Sequence, residues 1–401
     1  MPRNFEASKR AQGVEYAIRD VMVKAEEVRK SGKKILYLNI GDPVKYGFDT
    51  PTHIKRALEK AIEGGQNYYS SSEGLKELRE AVAEKENKVN GAHIGADNVI
   101  VTTGISEAIT FLMASIVNPG DEVLMPGPCY SPYMAYAKFF DGKAVTYRTV
   151  EEKGWAPDIA DLKSKITKRT RLLVIVNPNN PCGSVYSKSE IAEMLELASS
   201  HNLIVAADEI YDRIIYDGAF TSVSSLAKDV PLIGLNGFSK AYLMTGWRMG
   251  YIYVQDVDGR LANVWDGIQR LSRVRLCAST PVQFAAVEAL RGPQGHIKDM
   301  VSKLRQRRDF SWKRVNEIPG LSAAKPVGAF YIFPKVALGG KWKSDEQFVN
   351  ELLKETGVLV VHGSGFDPIY GKDHFRAVFL PDEKMLGEAF DAIEQFMKKH
   401  S

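Results

Sequence analysis

The sequence predicts an α/β fold, in which a mostly parallel sheet covered by helices makes a large domain and a smaller α+β domain completes the chain. Three observations lead there. Between about residues 50 and 290, short apolar strands alternate with helical patterns, the order that builds parallel sheets. Beyond that stretch, strands and helices follow one another in the mixed order of an α+β unit. At 401 residues, 44% of them hydrophobic, the chain is long enough for more than one core.

Taken in order, a polar arm leads into a helical pattern over 15–30, and KILYLNI (34–40) reads as a strand stopped by Gly41-Asp42-Pro43. Helices over 51–64 and 74–90 precede short β-branched or apolar strands at 98–102, 121–125, 171–176, 203–207, 232–235 and 250–254. Residues 281–318 read as two helices parted by GPQG (292–295), a bridge to the second domain. AFYIFPKV (329–336), VLVVHG (358–363) and FRAVFL (375–380) read as strands among helices over 344–355 and 383–399. The expected division is 1–50 as arm and part of the small domain, 51–290 as the large domain and 291–401 as the small C-terminal domain.

Composition narrows the function. A net charge of +4, without a block of like charges, leaves no electrostatic footprint for nucleic acid. Cys129, Cys182 and Cys277 are odd in number and widely spaced, which argues against a disulfide framework and for a reducing, cytoplasmic setting. The first twenty residues lack the apolar core of a secretory signal, and no run of apolar residues is long enough for a membrane span. Seven scattered histidines without HExxH spacing, and no CxxC pair, give no metal site. Neither GxGxxG nor GxxxxGK[ST] occurs, so dinucleotide and nucleoside-triphosphate sites lack their loops.

Ligands of open α/β sheets collect beyond the carboxyl ends of the strands. There RLLVIV runs into NPNNPCG, LIVAA into DEIY, LIGL into NGFSK, and NVIVT into TGISEA at the start of a helix. Those ends supply Asn180, Asp208, Tyr211, Lys240 and a helix N-terminus, a set that suits pyridoxal phosphate. Lys240 offers the imine-forming amine and Asp208 an acid for the pyridine nitrogen, although Asp208 also fits a helix N-cap. Tyr211 and Asn180 offer hydrogen bonds to the ring oxygen. Backbone N–H groups of the helix opened by Gly104, Ile105 and Ser106, with Arg248, suit a phosphate dianion.

At SKAYLMTGWRMGY (239–251), NPNNPCG (177–183) and DEIY (208–211) the chain resembles the class I/II aminotransferases of fold type I. LNIGDP (38–43), NYYSSSEGLKELREAV (67–82), PGPCYSPY (126–133) and HFRAVFL (374–380) extend the resemblance over nearly the whole chain. It implies a large domain with a sheet of the seven-stranded type. It makes Lys240 the Schiff-base lysine, Asp208 the pyridinium partner, Asn180 and Tyr211 the ring-oxygen donors, and Tyr130 the aromatic stacked on the ring. Arg248 and Tyr69 would bind phosphate, Tyr69 from the second subunit of a homodimer with shared active sites. Gly41, Asn180 and Arg376 would hold the substrate carboxylate.

Two positions depart from the family pattern. Gly237 stands where many relatives have a phosphate-binding serine, so Ser239 or backbone groups are expected to compensate. Cys182 stands where threonine is usual, and a structural role is expected for it.

YAIRD (16–20), LNIGDP and the C-terminal match resemble archaeal and bacterial alanine aminotransferases. The resemblance implies alanine and 2-oxoglutarate as substrates, with pyruvate and glutamate as products, and Tyr16 and Arg19 closing over the substrate side chain. The alternatives are an aromatic, aspartate or broad-specificity aminotransferase, or another pyridoxal phosphate reaction such as β-elimination or synthase chemistry. A non-catalytic sensor domain joined to a winged helix is the reading outside enzymes. The arm before residue 34 is too short for that module.

Overall fold

The structure is a computed structural model and describes residues 5–14 and 16–400. Glu15, at the expected start of the arm helix, lies outside them; the described helix is Ala17–Lys30. β1 (Leu36–Tyr37) follows, shorter than KILYLNI suggested, because only its centre has a partner strand. Among the described residues eight strands then build the central sheet: β2 (Val99–Thr102), β3 (Glu122–Gly127), β4 (Lys143–Val150), β5 (Ala156–Pro157), β6 (Thr170–Val176), β7 (Ile204–Asp208), β8 (Leu232–Gly237) and β9 (Gly250–Gln255). Their order is β2-β9-β8-β7-β6-β3-β4-β5. Only β9 and β5 run against the rest.

The sheet has one strand more than the seven-stranded type, the two-residue β5 turned back on β4. β4 has no counterpart among the expected strands, because it is half-exposed near the sheet edge and Lys143 and Arg148 break up its apolar run. The central strands are apolar on both faces because both are covered. Val174, Ala206 and Ile233 point to the helix Ile105–Ile116, whereas Leu173, Ile175, Val205 and Leu232 point to the helix Lys188–Ser200. Each of these Val, Leu and Ile side chains contributes roughly 1.5–3 kcal/mol on burial.

The remaining strands are short: β10 (Leu321–Ser322), β11 (Tyr331–Ile332), β12 (Lys335–Val336), β13 (Val358–Leu359), β14 (Val361–His362) and β15 (Phe375–Val378). β1 pairs parallel with β13, β10 antiparallel with β12, and both β11 and β14 antiparallel with β15. AFYIFPKV is therefore not one strand: Ala329 sits at φ 54°, Pro334 interrupts the run, and its halves join different sheets. VLVVHG divides likewise between β13 and β14.

The two expected helices are Thr280–Arg291 and Gly295–Glu317. The longer one bridges two cores, with Ile297 packed beside β2 and β9, and Leu304 and Val315 packed with β11 and β15. The arm helix lays Ile18, Val21 and Ala25 on Phe333, Leu353, Val361 and Phe366. Tyr16 and Arg19 are thereby held at the edge of the central sheet's active end.

Candidate active site

β6, β7 and β8 end side by side, and the reversed β9 begins at the same edge, so the loop 238–249 closes over that end of the sheet. A cavity of about 540 Å³ lies there. Of the residues whose side chains or helix N–H groups were expected to hold cofactor or substrate, Ile105 and Ser106 included, all line it except Gly104, which caps the helix those two open, and Tyr69, which is 80% exposed and stands away from its own chain's cavity.

Asp208 ends β7 and is buried, accepting from the Tyr133 hydroxyl at 2.8 Å and the Ile210 N–H at 3.3 Å. Burial pushes its carboxyl up to about 6, against the pull of those donors and of Lys240. Turns rather than a helix follow Asp208, which removes the N-cap alternative. Lys240 follows β8, and its ammonium donates to the Gly41 carbonyl at 2.7 Å. Burial draws Lys240 down to about 8; Asp42 and Asp208 oppose that shift, and Arg376 and Arg248 reinforce it. Near neutral pH this amine gives up its proton far more readily than a surface lysine.

At the end of the cavity beside Arg248, Gly104 (φ 76°) caps the helix Ile105–Ile116, and Ile105 and Ser106 form its first turn. The Arg248 guanidinium lies so close to Gly104 that a Cβ there would overlap it. Arg248 Nη1 donates to the Thr245 carbonyl at 3.0 Å. The same packing accounts for Gly237. A Cβ at Gly237 would meet Gly250 Cα and the Met249 carbonyl at 3.0 Å, and one at Gly250 would meet the Gly104 Cα at 2.9 Å. Three glycines thus stack backbone on backbone from β8 through β9 to the helix cap, and a serine at 237 would push on the next strand. Ser239 keeps a hydroxyl beside the cavity.

At the opposite end Arg376, 1% exposed on β15, donates from Nη1 to Asn180 Oδ1 at 2.8 Å and from Nη2 to the Asn39 carbonyl. The Tyr331 and Phe366 rings hold its guanidinium at 4.4 and 4.8 Å. Its Nε is a buried donor without a partner. The Tyr16 and Tyr130 hydroxyls meet at 3.3 Å, and Tyr130 packs edge-on against Tyr133. Arg19 is exposed at the rim, and no hydrogen bond or ion pair holds its side chain among the described residues. Cys182 packs in an apolar cluster with Phe333 and Leu353.

The sequence reading assigned no role to Asp42, Tyr133, Thr245 or Tyr331. Each falls inside a segment that had been noticed, but only the fold brings their side chains to the site. Thr245 donates to Asp42 Oδ1 at 2.8 Å, tying the loop after β1 to the loop after β8.

The residues fit pyridoxal phosphate. An amine, a buried acid, a hydroxyl and amide pair, and an arginine beside a helix N-terminus line one cavity of the size that small cofactors occupy. Among the described residues no cluster of His, Cys, Asp and Glu is arranged to hold a metal, and no helix is long and apolar enough to cross a membrane.

Comparison with known proteins agrees. A family model described as aminotransferase class I and II matches residues 33–393. The alanine aminotransferase of Mycobacterium tuberculosis is 40% identical over 98% of this chain and 93% of its own length. The glutamate-pyruvate aminotransferase AlaA of Escherichia coli is 38% identical over 94% of each chain. Among solved structures, alanine aminotransferase from Pyrococcus furiosus superimposes with a TM-score of 0.96 at 52% identity, covering 98% of this chain and all of the other. Aspartate aminotransferase from Thermus thermophilus superimposes with a TM-score of 0.89 at 32% identity over the same shares. The chain thus belongs to the class I and II aminotransferases of fold type I and is a pyridoxal-phosphate-dependent transaminase.

Proposed function

We propose that the protein transfers the amino group of L-alanine to 2-oxoglutarate, giving pyruvate and L-glutamate in two half-reactions. The observation that carries this reading is the Tyr16–Tyr130 hydroxyl pair at 3.3 Å, which sets two tyrosines side by side on the cavity lining with Arg19 at the rim. Relatives named alanine and glutamate-pyruvate aminotransferases support it.

Bound pyridoxal phosphate supplies the electron sink and carries the amino group between half-reactions. Lys240 would tether the cofactor through its amine, and the same amine, when free, would take and return the proton at the substrate Cα. Asp208 keeps a proton on the pyridine nitrogen, steadied by Tyr133. Asn180 and Tyr211 would donate to the ring oxygen, and Tyr130 would pack against the ring. Arg248, Ser239 and the N–H groups of Ile105 and Ser106 hold the phosphate. Arg376, with Asn180 and Gly41, fixes the substrate carboxylate and so orients the Cα–H bond. Tyr16 closes over a small side chain, and Arg19 swings in to pair with the second carboxylate of glutamate.

The working unit in this reading is a homodimer in the cytoplasm, with Tyr69 reaching the partner's phosphate. Tyr68, Tyr69, Val274 and Leu276 are exposed, and Arg275 and Thr280 tie their two segments together through the carbonyls of Ser72 and Tyr68. An apolar surface of that kind is suited to a two-fold contact. The domain division at 51 and 291 is part of the same proposal, and the packing of Gly295–Glu317 across two cores supports it.

The test is a donor panel with 2-oxoglutarate and cofactor. Pyruvate and glutamate formed in equal amounts from alanine are expected, with aspartate a poor donor. Aspartate outpacing alanine contradicts the substrate assignment.

A further inference from the structure

The Tyr331 hydroxyl lies 2.7 Å from the Tyr211 hydroxyl, and both side chains are buried. The face of the same Tyr331 ring carries the Arg376 guanidinium at 4.4 Å. A side chain on Gly41 would overlap the Tyr331 hydroxyl. Antiparallel pairing of β11 with β15, Tyr331 opposite Val378 and Ile332 opposite Ala377, puts Tyr331 on the same face as Arg376, its diagonal neighbour two residues along β15 from Val378. One side chain therefore touches the ring-oxygen donor, the carboxylate anchor and the backbone that accepts from Lys240.

A phenol has one proton to donate. When Tyr211 gives its proton to the ring oxygen, the bond between the two hydroxyls must run from Tyr331 to Tyr211. A hydroxyl that accepts one hydrogen bond donates the next more strongly. We propose that Tyr331 is a positioning residue for transamination: its hydroxyl donates to Tyr211 and commits the Tyr211 proton to the cofactor's ring oxygen, while its ring backs the Arg376 guanidinium. This rests on Tyr211 being the ring-oxygen donor proposed above. Strong donation to the ring oxygen stabilises its anion and keeps the proton midpoint of the bound cofactor low. The other titratable or charged groups facing the two tyrosines are Arg376, Lys240, Asp208, Tyr130 and Tyr16, and Tyr331→Phe leaves all of them in place.

The experiment is an absorbance titration of the loaded enzyme with pH, beside steady-state kinetics. Tyr331→Phe is expected to raise the midpoint by roughly half to one pH unit, the worth of one hydrogen bond. It should lower kcat several-fold while KM for alanine stays within about twofold. Tyr331→Leu, which also removes the ring from Arg376, should in addition raise that KM about tenfold, the scale of a lost cation–π contact. In a Tyr211→Phe background, Tyr331→Phe should add no further shift. An unchanged midpoint in Tyr331→Phe, where Tyr211→Phe alone does shift it, overturns this inference and leaves the reading of the site intact. A full additional shift in the Tyr211→Phe background overturns it as well. If Tyr211→Phe itself leaves the midpoint unmoved, Tyr211 is not the ring-oxygen donor, and the two fall together.

Discussion

Tyr133 donates a hydrogen bond to Asp208 at 2.8 Å, so the acid at the end of β7 is held by a side chain from the helix Pro132–Phe139, which follows β3. The arrangement keeps a carboxyl in an apolar interior, where its charge is costly until a cationic ring faces it.

Stability and activity should therefore part company at Asp208. Burial raises its carboxyl from the ordinary 3.8 to about 6. A carboxyl raised on folding binds more protons folded than unfolded, so its stabilising contribution is complete below about pH 4 and is lost as pH rises through about 6. Above that the cofactor-free fold bears a cost of about 3 kcal/mol, about two pH units at 1.36 kcal/mol each. Asp208→Asn should make the cofactor-free protein more stable than wild type at pH 8 and no more stable at pH 4, while slowing transamination by about 10³-fold or more. Urea denaturation at both pH values checks it, and the same difference at each would show that the charge is not the cause.

Gly250 should matter to cofactor retention although it makes no side-chain contact. A Cβ there would press on the Gly104 backbone at 2.9 Å and displace the helix cap proposed to hold the phosphate. Gly250→Ala should release pyridoxal phosphate at least about tenfold more readily, a loss of about 1.4 kcal/mol, with kcat recovering in excess cofactor. Unchanged affinity by equilibrium dialysis would show that the three stacked glycines only fill space.

The sequence carried the order of strands and the chemistry at their ends, because a strand buried on both faces is a continuous apolar run whose stop is conspicuous. RLLVIV, LIVAA and LIGL mark β6, β7 and β8, and the residues after them line one cavity. What local pattern lacked was contact across distant segments. Tyr331 reads as part of a strand until β11 pairs with β15, and nothing in PGPCYSPY marks Tyr133 until its helix folds back on Asp208. Gly237 read as a missing serine, and only the approach of β9 shows what a side chain would strike.

The shared-site proposal for Tyr69 is testable by subunit mixing. Lys240→Ala and Tyr69→Ala subunits, each impaired alone, should form mixed dimers in which one site carries both defects and the other neither. Activity of the exchanged mixture should exceed that of either parent. No gain after demonstrated exchange places Tyr69 outside the partner's site.

Arg19 should separate the two substrate pairs. It stands at the cavity rim without a protein partner for its side chain among the described residues. Charge-assisted bonds to a second carboxylate are worth roughly 1.5–3 kcal/mol, so Arg19→Ala should weaken glutamate and 2-oxoglutarate about tenfold or more while leaving alanine and pyruvate nearly unchanged. Equal losses in kcat/KM for both pairs would remove Arg19 from side-chain recognition.

The central claim is that Lys240 holds the cofactor, and chemical trapping reads it directly. Borohydride reduction of the loaded enzyme, followed by proteolysis and mass spectrometry, should find the pyridoxyl group on the peptide containing Lys240. Lys240→Ala, with the same thermal stability, should carry none and have lost nearly all transamination. A pyridoxyl group on another lysine in the wild-type enzyme, or full labelling of Lys240→Ala, would contradict the account.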